Sequence, residues 1–389
     1  MAVTEAQMSE ATHTRSYEVL TTTAEQHLGY LDSLPGQASF LQYPSWAAVK
    51  AGWKAERLGW FDGSGRQCGA AQVLYRQLPR TRRYFAYLPE GPVVDWADPR
   101  LPHLLQPLLD HLRSAGAFAV RMGPPLPYRR WNAATLKEAV GPGRRVGDVL
   151  PDLVDPVGAA VADRLRAAGW RRCGEEGDSG DAQPRYLFEV PLAGRGLDDL
   201  WAGLNQEWRR NIKKAAKADV EPCVGTADYL PEFYRLLQLT ERRDGFRLGR
   251  SLDYFQRQYQ ELNTEEPGRM RLYLAWHDGE VLAAHTLIVA GRRAWYQTGA
   301  SADHRREVRP SNALQWRMLR DAHALGAEVY DMRGVPDVLD PQERSFGLMR
   351  WKLGTGGQVV ETLGEWELAL EGAVNKTLHR AMQRYLARR

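Results

Sequence analysis

The feature that most constrains the fold is an internal repeat: one order of predicted elements occurs twice, about 210 residues apart. Each copy has an Asp-Gly turn, a strand, an aromatic strand after two arginines, a helix, a Gly-Ala helix stop and a closing strand. The matched segments are Asp62-Gly63 and Asp278-Gly279, 69–75 and 282–289, 84–87 and 295–296, 104–113 and 312–324, 116–117 and 326–327, and 118–123 and 328–333. Such runs are common in α+β proteins, but the shared Asp-Gly, Arg-Arg-aromatic and Gly-Ala sequences at matching positions favour duplication and predict two similarly folded halves.

A mixed sheet with a helix after its central strands resembles the acyl-CoA N-acyltransferase (GNAT) fold. We therefore expect an α/β (α+β) chain of two fused GNAT-like domains with mixed sheets. Residues 141–183 are rich in Gly, Pro, Arg and Asp, which places a domain boundary near residue 183. The predicted first domain comprises 1–183 and 363–389, and the second comprises 184–362. A terminal helix over 373–389, with apolar residues four apart, is expected to pack on one domain.

Composition excludes several classes of protein. Of the 389 residues, 43% are hydrophobic and 26% are charged, which is typical of a globular chain and not of a disordered, collagenous or coiled-coil one. The net charge of +4, from 52 basic and 48 acidic residues, does not by itself indicate a nucleic-acid binder, so a basic site must be local. With no apolar run of spanning length and no signal sequence, the chain is predicted to be cytoplasmic. Three cysteines without a CxxC pair predict reduced thiols, with neither a disulfide framework nor a metal site.

A helix predicted over 204–217 carries a concentrated run of basic residues. Its apolar face consists of Leu204, Trp208, Ile212 and Ala215. Another face, here named the basic strip, has cations at i, i+3, i+4 and i+7, namely Arg210, Lys213, Lys214 and Lys217. The pattern alone is typical of a solvated helix face. Because no acidic residue falls between Arg210 and Lys217, the strip also fits a phosphate-backbone contact, in which clustered cations gain affinity by releasing counterions.

An ordered set of motifs between Gln37 and Trp366 resembles the Fem family (FemA, FemB and FemX) of peptidoglycan-bridge aminoacyltransferases. Besides the basic helix, the motifs are Phe40-Leu41-Gln42, Ser45-Trp46-Ala47-Ala48-Val49-Lys50, Leu88-Pro89-Glu90-Gly91-Pro92-Val93, Arg250-Ser251-Leu252-Asp253-Tyr254-Phe255, Pro310-Ser311-Asn312-Ala313-Leu314-Gln315-Trp316, Tyr330-Asp331-Met332-Arg333-Gly334 and Gly347-Leu348-Met349-Arg350-Trp351-Lys352. No heptad segment interrupts the second half, so the chain is similar to the compact FemX-type members without a coiled-coil arm. The excess of arginine, 44 (52 − 8) against eight lysines, is typical of a high-GC, actinobacterial-like genome.

The resemblance implies transfer of an amino acid from aminoacyl-tRNA to the stem-peptide amine of a peptidoglycan precursor. Aminoacyl-tRNA is the co-substrate, and neither a cofactor nor a metal is implied. The lineage leads us to expect glycine and glycyl-tRNA, whereas lipid II and UDP-MurNAc-pentapeptide both stay open as the acceptor. We expect a monomer that meets the inner face of the membrane through a lipid-linked substrate and has no anchor of its own.

The resemblance also assigns roles to individual residues. Lys352 and Trp351 are implied as catalytic, with Lys352 neutralising an oxyanion or terminal phosphates and Trp351 stacking on a base. The basic strip is implied as tRNA-binding, and the precursor is assigned to Lys50, Arg250, Tyr254 and Tyr296. From the residues alone, an exposed lysine in a glycine-rich turn is the favoured interpretation of Lys352. Tyr296 is assigned to the lining of the acceptor channel, but a core tyrosine is an equal alternative.

The residues favour direct transfer. An amine that attacks an aminoacyl ester needs to lose a proton, a fixed geometry and a stabilised oxyanion, but no covalent nucleophile. None of the cysteines lies in a nucleophile motif, and no G-x-S-x-G occurs. The chain departs from the family pattern at Gly123, where FemX-type proteins have an acidic residue, and at Thr298, where they have a substrate-contact tyrosine. Without a carboxylate at Gly123, solvent or the substrate itself would have to take the proton.

Three other functions compete with this prediction. A CoA-dependent N-acetyltransferase needs a glycine-rich phosphate loop before a helix, and residues 304–311 contain no glycine. A related tRNA-dependent enzyme of a secondary-metabolite pathway would use the same donor and another acceptor. A non-catalytic tRNA-binding protein fits the missing carboxylate at Gly123, but the Trp351-Lys352 pair disfavours it.

Overall fold

The computed structural model describes residues 17–34, 36, 38–174, 180–370 and 372–386. Residues 1–16, which bear on the predicted lack of a signal sequence, and 387–389, the predicted end of the last helix, lie outside the described residues. The strands described are β1 (Glu18–Thr21), β2 (Lys54–Phe61), β3 (Gln67–Gln77), β4 (Tyr84–Leu88), β5 (Ala117–Met122), β6 (Pro127–Asn132), β7 (Leu153–Val154), β8 (Arg171–Arg172), β9 (Tyr186–Pro191), β10 (Glu221–Gly225), β11 (Met270–His277), β12 (Glu280–Ala290), β13 (Arg293–Ser301), β14 (Val329–Gly334), β15 (Gln358–Thr362) and β16 (Trp366–Ala369). The α-helices described are α1 (Ala24–Asp32), α2 (Pro44–Val49), α3 (Leu101–Ser114), α4 (Ala133–Glu138), α5 (Pro156–Ala167), α6 (Leu197–Gly203), α7 (Gln206–Lys217), α8 (Leu230–Asp244), α9 (Leu252–Glu265), α10 (Pro310–Ala324), α11 (Phe346–Leu353) and α12 (Ala373–Leu386).

The described strands form two mixed sheets. The first has the order β1-β2-β3-β4-β5-β16-β8, and the second has the order β10-β11-β12-β13-β14-β9-β15-β6-β7. The predicted repeat is confirmed, because β2-β3-β4-α3-β5 and β11-β12-β13-α10-β14 follow each other in the same order within the two sheets. In each copy the strand before the helix lies parallel to the strand after it, β4 with β5 and β13 with β14.

The two predicted Asp-Gly turns differ in detail. In the second copy Asp278 and Gly279 have φ angles of 49° and 76°, which is the left-handed pair that a two-residue hairpin turn requires. In the first copy the left-handed residue is Gly65, with φ of 78°, and not Gly63. The Asp62 carboxylate accepts hydrogen bonds from the backbone N–H groups of Ser64 and Arg66, so the turn widens around that side chain.

The sheets exchange strands across residue 183, the predicted domain boundary. The proline-rich segment 123–127 follows β5, and because proline donates no ladder hydrogen bond the chain leaves the first sheet there. Strands β6 and β7 then join the second sheet, where Pro127 of β6 pairs with Thr362 of β15. Strand β16 returns to the first sheet beside β5. Residues 127–154 therefore lie with the second sheet, although the predicted division assigns all of 1–183 to the first domain.

An apolar core joins the two halves. Phe40 and Trp46, from the segment around α2, pack edge to face, and Phe40 also packs against Trp295 of β13. Leu262 of α9 and Ile288 of β12 belong to the same buried cluster. The segment around α2 is thereby fixed to the second sheet, which sets the positions of α2 and α9 relative to each other. No helix in the described residues is long and apolar enough to cross a membrane.

Candidate active site

Three residues assigned to the precursor meet where the two halves join. Lys50 follows the last residue of α2, and Arg250 lies just before α9, whose first turn carries Tyr254. The Lys50 Nζ lies 5.8 Å from the centre of the Tyr254 ring, and the Arg250 guanidinium lies 4.7 Å from it. Lys50 also lies over the Trp46 ring, at 4.8 Å. We name Lys50, Arg250 and Tyr254 the cation cluster; their role in binding stays a prediction.

The cation cluster holds more positive charge than its surroundings neutralise. Burial, together with the positive charge of Arg250, lowers the pKa of Lys50 from 10.5 to about 8. Burial raises the pKa of the Tyr254 hydroxyl, which therefore stays protonated and able to donate a hydrogen bond. No salt bridge to Lys50 or Arg250 occurs within the part of the chain that the structure describes. Two cations next to one tyrosine, which supplies a hydroxyl donor, form a surface suited to an anion with several oxygens.

A cavity of about 360 Å³ opens between the two halves. The wall on the side of the first sheet includes Glu90, Gly123 and Glu365. The wall on the side of the second sheet includes Arg293 and Asp331. Arg293 forms salt bridges with Glu189 and, at 3.0 Å, with Asp331. These ion pairs neutralise the charge of the second wall. On the first wall Glu90 pairs with Arg333 at 3.2 Å, and Glu365 pairs with Arg121 at 3.3 Å. The cavity is large enough for the reacting ends of a substrate.

Sequence reasoning missed two carboxylates that flank Gly123. A Cβ placed on Gly123 would lie 3.4 Å from the backbone nitrogen of Glu90 and 3.5 Å from the Cγ of Glu365. Acids from two other segments thus lie next to Gly123 at the same wall of the cavity. Glu90 lies in a motif quoted for the family resemblance, so its sequence signal was available; Glu365 had none, since only folding brings it here.

The two carboxylates have different surroundings. Glu365 is buried and accepts hydrogen bonds from the Tyr87 hydroxyl at 2.5 Å and from the backbone N–H of Ala182 at 2.6 Å. Burial raises the pKa of Glu365, partly offset by the positive charge of Arg121. The side chain of Glu90 is 17% exposed and accepts hydrogen bonds from Ser39 and, at 3.2 Å, from Arg333. Glu90 is therefore the more accessible of the two acids.

Lys352 is buried, so the alternative of an exposed lysine in a glycine-rich turn is wrong. It lies in α11 with 3% of its surface exposed. The glycines that follow it are needed for close packing: a Cβ at Gly354 would lie 2.2 Å from the Trp208 ring, and a Cβ at Gly356 would lie 2.2 Å from the carbonyl oxygen of Gly203. Burial lowers the pKa of Lys352 from 10.5 to about 7, against the opposing effect of Asp331.

The Lys352 ammonium caps the end of β14. Its Nζ donates to the carbonyl oxygens of Met332 at 2.6 Å and Gly334 at 2.8 Å, and it lies 3.4 Å from that of Arg333. Arg333 has a left-handed backbone, with φ of 59°, and its guanidinium donates to Glu90. The lysine thereby stabilises the strained turn that aims Arg333 at the cavity carboxylate. In this structure Lys352 holds the backbone at the end of β14 in place. Its contact with tRNA stays a prediction.

Trp351 and the basic strip belong to one packed unit. The Trp351 ring lies 5.0 Å from that of Trp208 in α7, and the Trp208 indole N–H donates to the Trp351 carbonyl oxygen at 2.8 Å. The predicted apolar face of α7 is buried as expected, with Leu204, Trp208 and Ile212 in one cluster. The four residues of the basic strip are exposed on the other face, and none forms a salt bridge with a described residue. Helix α7 therefore presents unneutralised cations next to α11.

Tyr296 lies away from both the cation cluster and the cavity lining. Its neighbour Trp295 faces the cavity, and because side chains alternate along a strand Tyr296 faces the α10 side of the sheet. There its ring lies 5.1 Å from that of the buried His285, and burial raises its pKa. These contacts are those of a core tyrosine, and the part of Tyr296 in an acceptor channel stays a prediction. Among the described residues no group of three or more His, Cys, Asp and Glu is placed to hold a metal ion.

Comparison with known proteins identifies the family. Residues 22–275 match the model of the FemAB family, and residues 203–352 match that of an acetyltransferase (GNAT) domain. The chain belongs to the FemAB family. The resemblance drawn from the motifs is thus confirmed, and the GNAT match places an acyltransferase-type domain around α7, α10 and α11 of this FemAB-family chain.

Individual relatives agree with this family. The lipid II:glycine glycyltransferase of Staphylococcus aureus (strain USA300) is 23% identical to this FemAB-family chain, over 90% of the chain and 92% of the relative. The crystal structure of FemX matches with a TM-score of 0.77 and 22% identity, over 94% of this chain and all of the FemX chain. The structural likeness shows the fold and confirms the predicted pair of GNAT-like domains.

Proposed function

We propose that the protein is an aminoacyltransferase that moves an amino acid, which we expect to be glycine, from aminoacyl-tRNA to the stem-peptide amine of lipid II. The observation that carries the proposal is the cation cluster, in which Lys50 and Arg250 come from the two halves and face one tyrosine without a carboxylate partner. Further support comes from the S. aureus relative, which is named for glycine transfer to lipid II.

The cation cluster suits the diphosphate of a lipid-linked precursor. A diphosphate diester carries two negative charges and several acceptor oxygens, and Arg and Lys are the side chains that bind such groups best. The Tyr254 hydroxyl adds a directional hydrogen bond, since its raised pKa keeps it protonated. Binding an anion restores the charge that burial of Lys50 disfavours, so the site is arranged to gain affinity on binding.

Glu90 takes the role of general base. The attacking amine must lose a proton as its nitrogen forms a bond to the ester carbonyl carbon and the bond from that carbon to the ribose oxygen breaks. Glu90 lines the cavity, is partly exposed and accepts the amine proton, which then passes to the leaving ribose oxygen. Glu365, fully hydrogen-bonded and buried, holds Tyr87 and the cavity wall in place. The substitution of glycine at position 123 is thereby compensated.

The aminoacyl-tRNA approaches over α7. The basic strip contacts the phosphates of the acceptor arm, and α11, packed against α7, guides the terminal nucleotide towards the cavity. Trp351 is partly exposed beside the strip, where an aromatic ring stacks with a base. Lys352 positions Arg333, and through it Glu90, by capping the end of β14.

A CoA-dependent acetyltransferase is the second candidate, because the GNAT domain match favours it. Its phosphate loop would lie before α10. There Arg305 and Arg309 occupy left-handed conformations, and Pro310 at the first helical position supplies no N–H group for a phosphate. These features disfavour CoA as the donor.

The test supplies the protein with labelled glycyl-tRNA or labelled acetyl-CoA, each together with lipid II or UDP-MurNAc-pentapeptide. We expect label on lipid II from glycyl-tRNA alone. Label on the soluble precursor only would change the acceptor, and glycine transfer to neither precursor, with transfer to another amine, would indicate a secondary-metabolite enzyme. Acetyl transfer without glycine transfer would refute the proposed donor, and tRNA binding without any transfer would indicate a non-catalytic protein.

A further inference from the structure

A short loop next to the cation cluster exposes two large apolar side chains. It connects α8 to α9, and we name residues 245–250 the interfacial loop. Phe246 and Leu248 are each 43% exposed. Arg242, in the last turn of α8, and Arg247, between the two apolar residues, are also exposed, and neither forms a salt bridge with a described residue. The surface therefore combines apolar side chains with free cations.

The backbone of the interfacial loop is fixed, so the exposure is built into the fold. Gly245 ends α8 in a left-handed conformation, with φ of 67°, and its N–H donates to the Glu241 carbonyl oxygen at 2.9 Å. The Leu248 N–H donates to the Glu241 carboxylate at 2.8 Å. At the other end, the Tyr234 hydroxyl donates to the Arg250 carbonyl oxygen at 3.2 Å. These three hydrogen bonds thus hold a loop whose apolar side chains are exposed.

The last residue of this loop is Arg250 of the cation cluster, so the loop and the cluster are continuous. In a polyprenyl-diphosphate substrate the diphosphate is bonded directly to the lipid chain and therefore lies at the level of the bilayer headgroups. A protein that grips this diphosphate must bring the neighbouring residues to the same depth. Interfacial segments of peripheral proteins carry aromatic or leucine side chains with flanking arginines or lysines, as this loop does.

We propose that the interfacial loop inserts into the headgroup layer of an anionic bilayer, with Phe246 and Leu248 in the acyl boundary and Arg242 and Arg247 on lipid phosphates. The depth argument rests on the proposed function, whereas the composition and exposure of the loop do not. The partner is a membrane and not a protein, because the exposed cations before and between the two apolar residues, Arg242 and Arg247, complement a negatively charged surface.

Another exposed apolar segment of the chain provides a matched control. Leu150 and Leu153 are 86% and 51% exposed, and the charged residues next to them in the sequence are Asp148, Asp152 and Asp155, while Arg130 pairs with Leu153 across the two strands. The three acids make this segment less suited to an anionic bilayer than the interfacial loop is. If exposed apolar surface alone caused membrane binding, Leu150 and Leu153 would contribute at least as much as Phe246 and Leu248.

The experiment measures sedimentation of the full-length protein with vesicles of phosphatidylcholine alone or mixed with phosphatidylglycerol. We expect binding to the anionic vesicles, weakened about tenfold to a hundredfold by Phe246→Ser with Leu248→Ser, since two half-exposed apolar side chains leave water. Arg242→Gln with Arg247→Gln is expected to weaken it about twentyfold and to remove the preference for anionic lipid. Leu150→Ser with Leu153→Ser is expected to bind as the wild type does. Thermal unfolding checks that every variant is folded.

Three results would overturn the proposal: no binding of the wild type to anionic vesicles, unchanged binding of the Phe246 and Leu248 variant, or an equal loss in the Leu150 and Leu153 control. The vesicles contain neither tRNA nor precursor, so this outcome is independent of the proposed function. In transfer assays, the Phe246 and Leu248 variant is expected to lose activity on lipid II in vesicles and to keep the wild-type rate on detergent-solubilised lipid II. Failure of the wild type to transfer glycine at all would refute the proposed function and leave the vesicle result standing.

Discussion

Binding of the precursor should weaken as the pH rises through 8, because only the protonated form of Lys50 attracts a diphosphate. Burial and the charge of Arg250 place the pKa of Lys50 at about 8 in the free protein, far below its ordinary value of 10.5. Because the ligand favours the ammonium form of Lys50, the affinity is fully present below pH 8 and is lost above it. The diphosphate diester itself does not titrate in this range.

The size of the effect follows from the protonated fraction. With a pKa of about 8, Lys50 is about nine tenths protonated at pH 7 and about one tenth protonated at pH 9. The dissociation constant should therefore rise about tenfold between these pH values, equivalent to about 1.4 kcal/mol. In Lys50→Arg the guanidinium stays protonated throughout, so the same pH change should leave the affinity nearly constant.

Isothermal titration calorimetry with a short-chain lipid II analogue measures the dissociation constant at each pH. No donor is needed, so the labile aminoacyl ester is absent from the assay. Lys54→Arg is the matched control, since Lys54 also lies over aromatic rings, at 5.6 Å from Tyr75, but outside the cation cluster. It should keep the tenfold pH dependence. A flat profile for the wild type, or an equal slope in Lys50→Arg, would refute the assignment of Lys50 to the phosphates.

Other residues give sharper tests of the remaining roles. Glu90→Gln should lower the single-turnover transfer rate by about a hundredfold or more, with little change in precursor affinity. Glu328→Gln, which changes another carboxylate that lines the same cavity, should stay active. Equal rates in the two variants would exclude Glu90 as the base. Lys352 has a pKa of about 7 when folded and 10.5 when unfolded, so the unfolded state binds more protons between these values and stability rises with pH there. Urea denaturation at pH 7 and pH 9 should show the wild type gaining about 1.4 kcal/mol per pH unit relative to Lys352→Met, and parallel changes in the two proteins would contradict the lowered pKa of Lys352. Replacing the basic strip by glutamine should reduce the slope of log affinity for tRNA against log salt by about 3, whereas the same change at the exposed Arg80, Arg82 and Arg83 should not; identical slopes would place tRNA elsewhere.

The repeat could be predicted because its signals are local. A turn, the strand that follows and the glycine that ends a helix are set by neighbouring residues. The predicted elements of both copies are present, although the strand predicted at 295–296 extends over Arg293–Ser301. The first turn was wrong in detail, since the Asp62 side chain accepts bonds from residues further along and moves the left-handed position to Gly65. The strand exchange was not predictable, because β6 pairs with β15, a strand far away in the sequence.

The site divides in the same way. The family motifs supplied Lys50, Arg250 and Tyr254, but only the packing of α2 on α9 brings them within reach of one ring. Glu365 was missed because nothing along the chain relates it to Gly123. The sequence allowed the wrong alternative of an exposed Lys352, because the glycines that follow it are typical of a turn. In the structure these glycines allow Trp208 and Gly203 to pack closely against the end of α11. Burial and long-range contacts decide these points, and neither is visible in local sequence.

The most direct test of the central claim is the rate of glycine transfer from glycyl-tRNA to lipid II by the wild type, Arg250→Met and Arg257→Met. Arg257 lies on α9, outside the cation cluster, and serves as the matched control. The account predicts transfer by the wild type and the control, and loss of transfer in Arg250→Met that higher lipid II concentrations partly restore. Transfer by Arg250→Met at the wild-type rate, or a wild type that transfers only from acetyl-CoA, would contradict it.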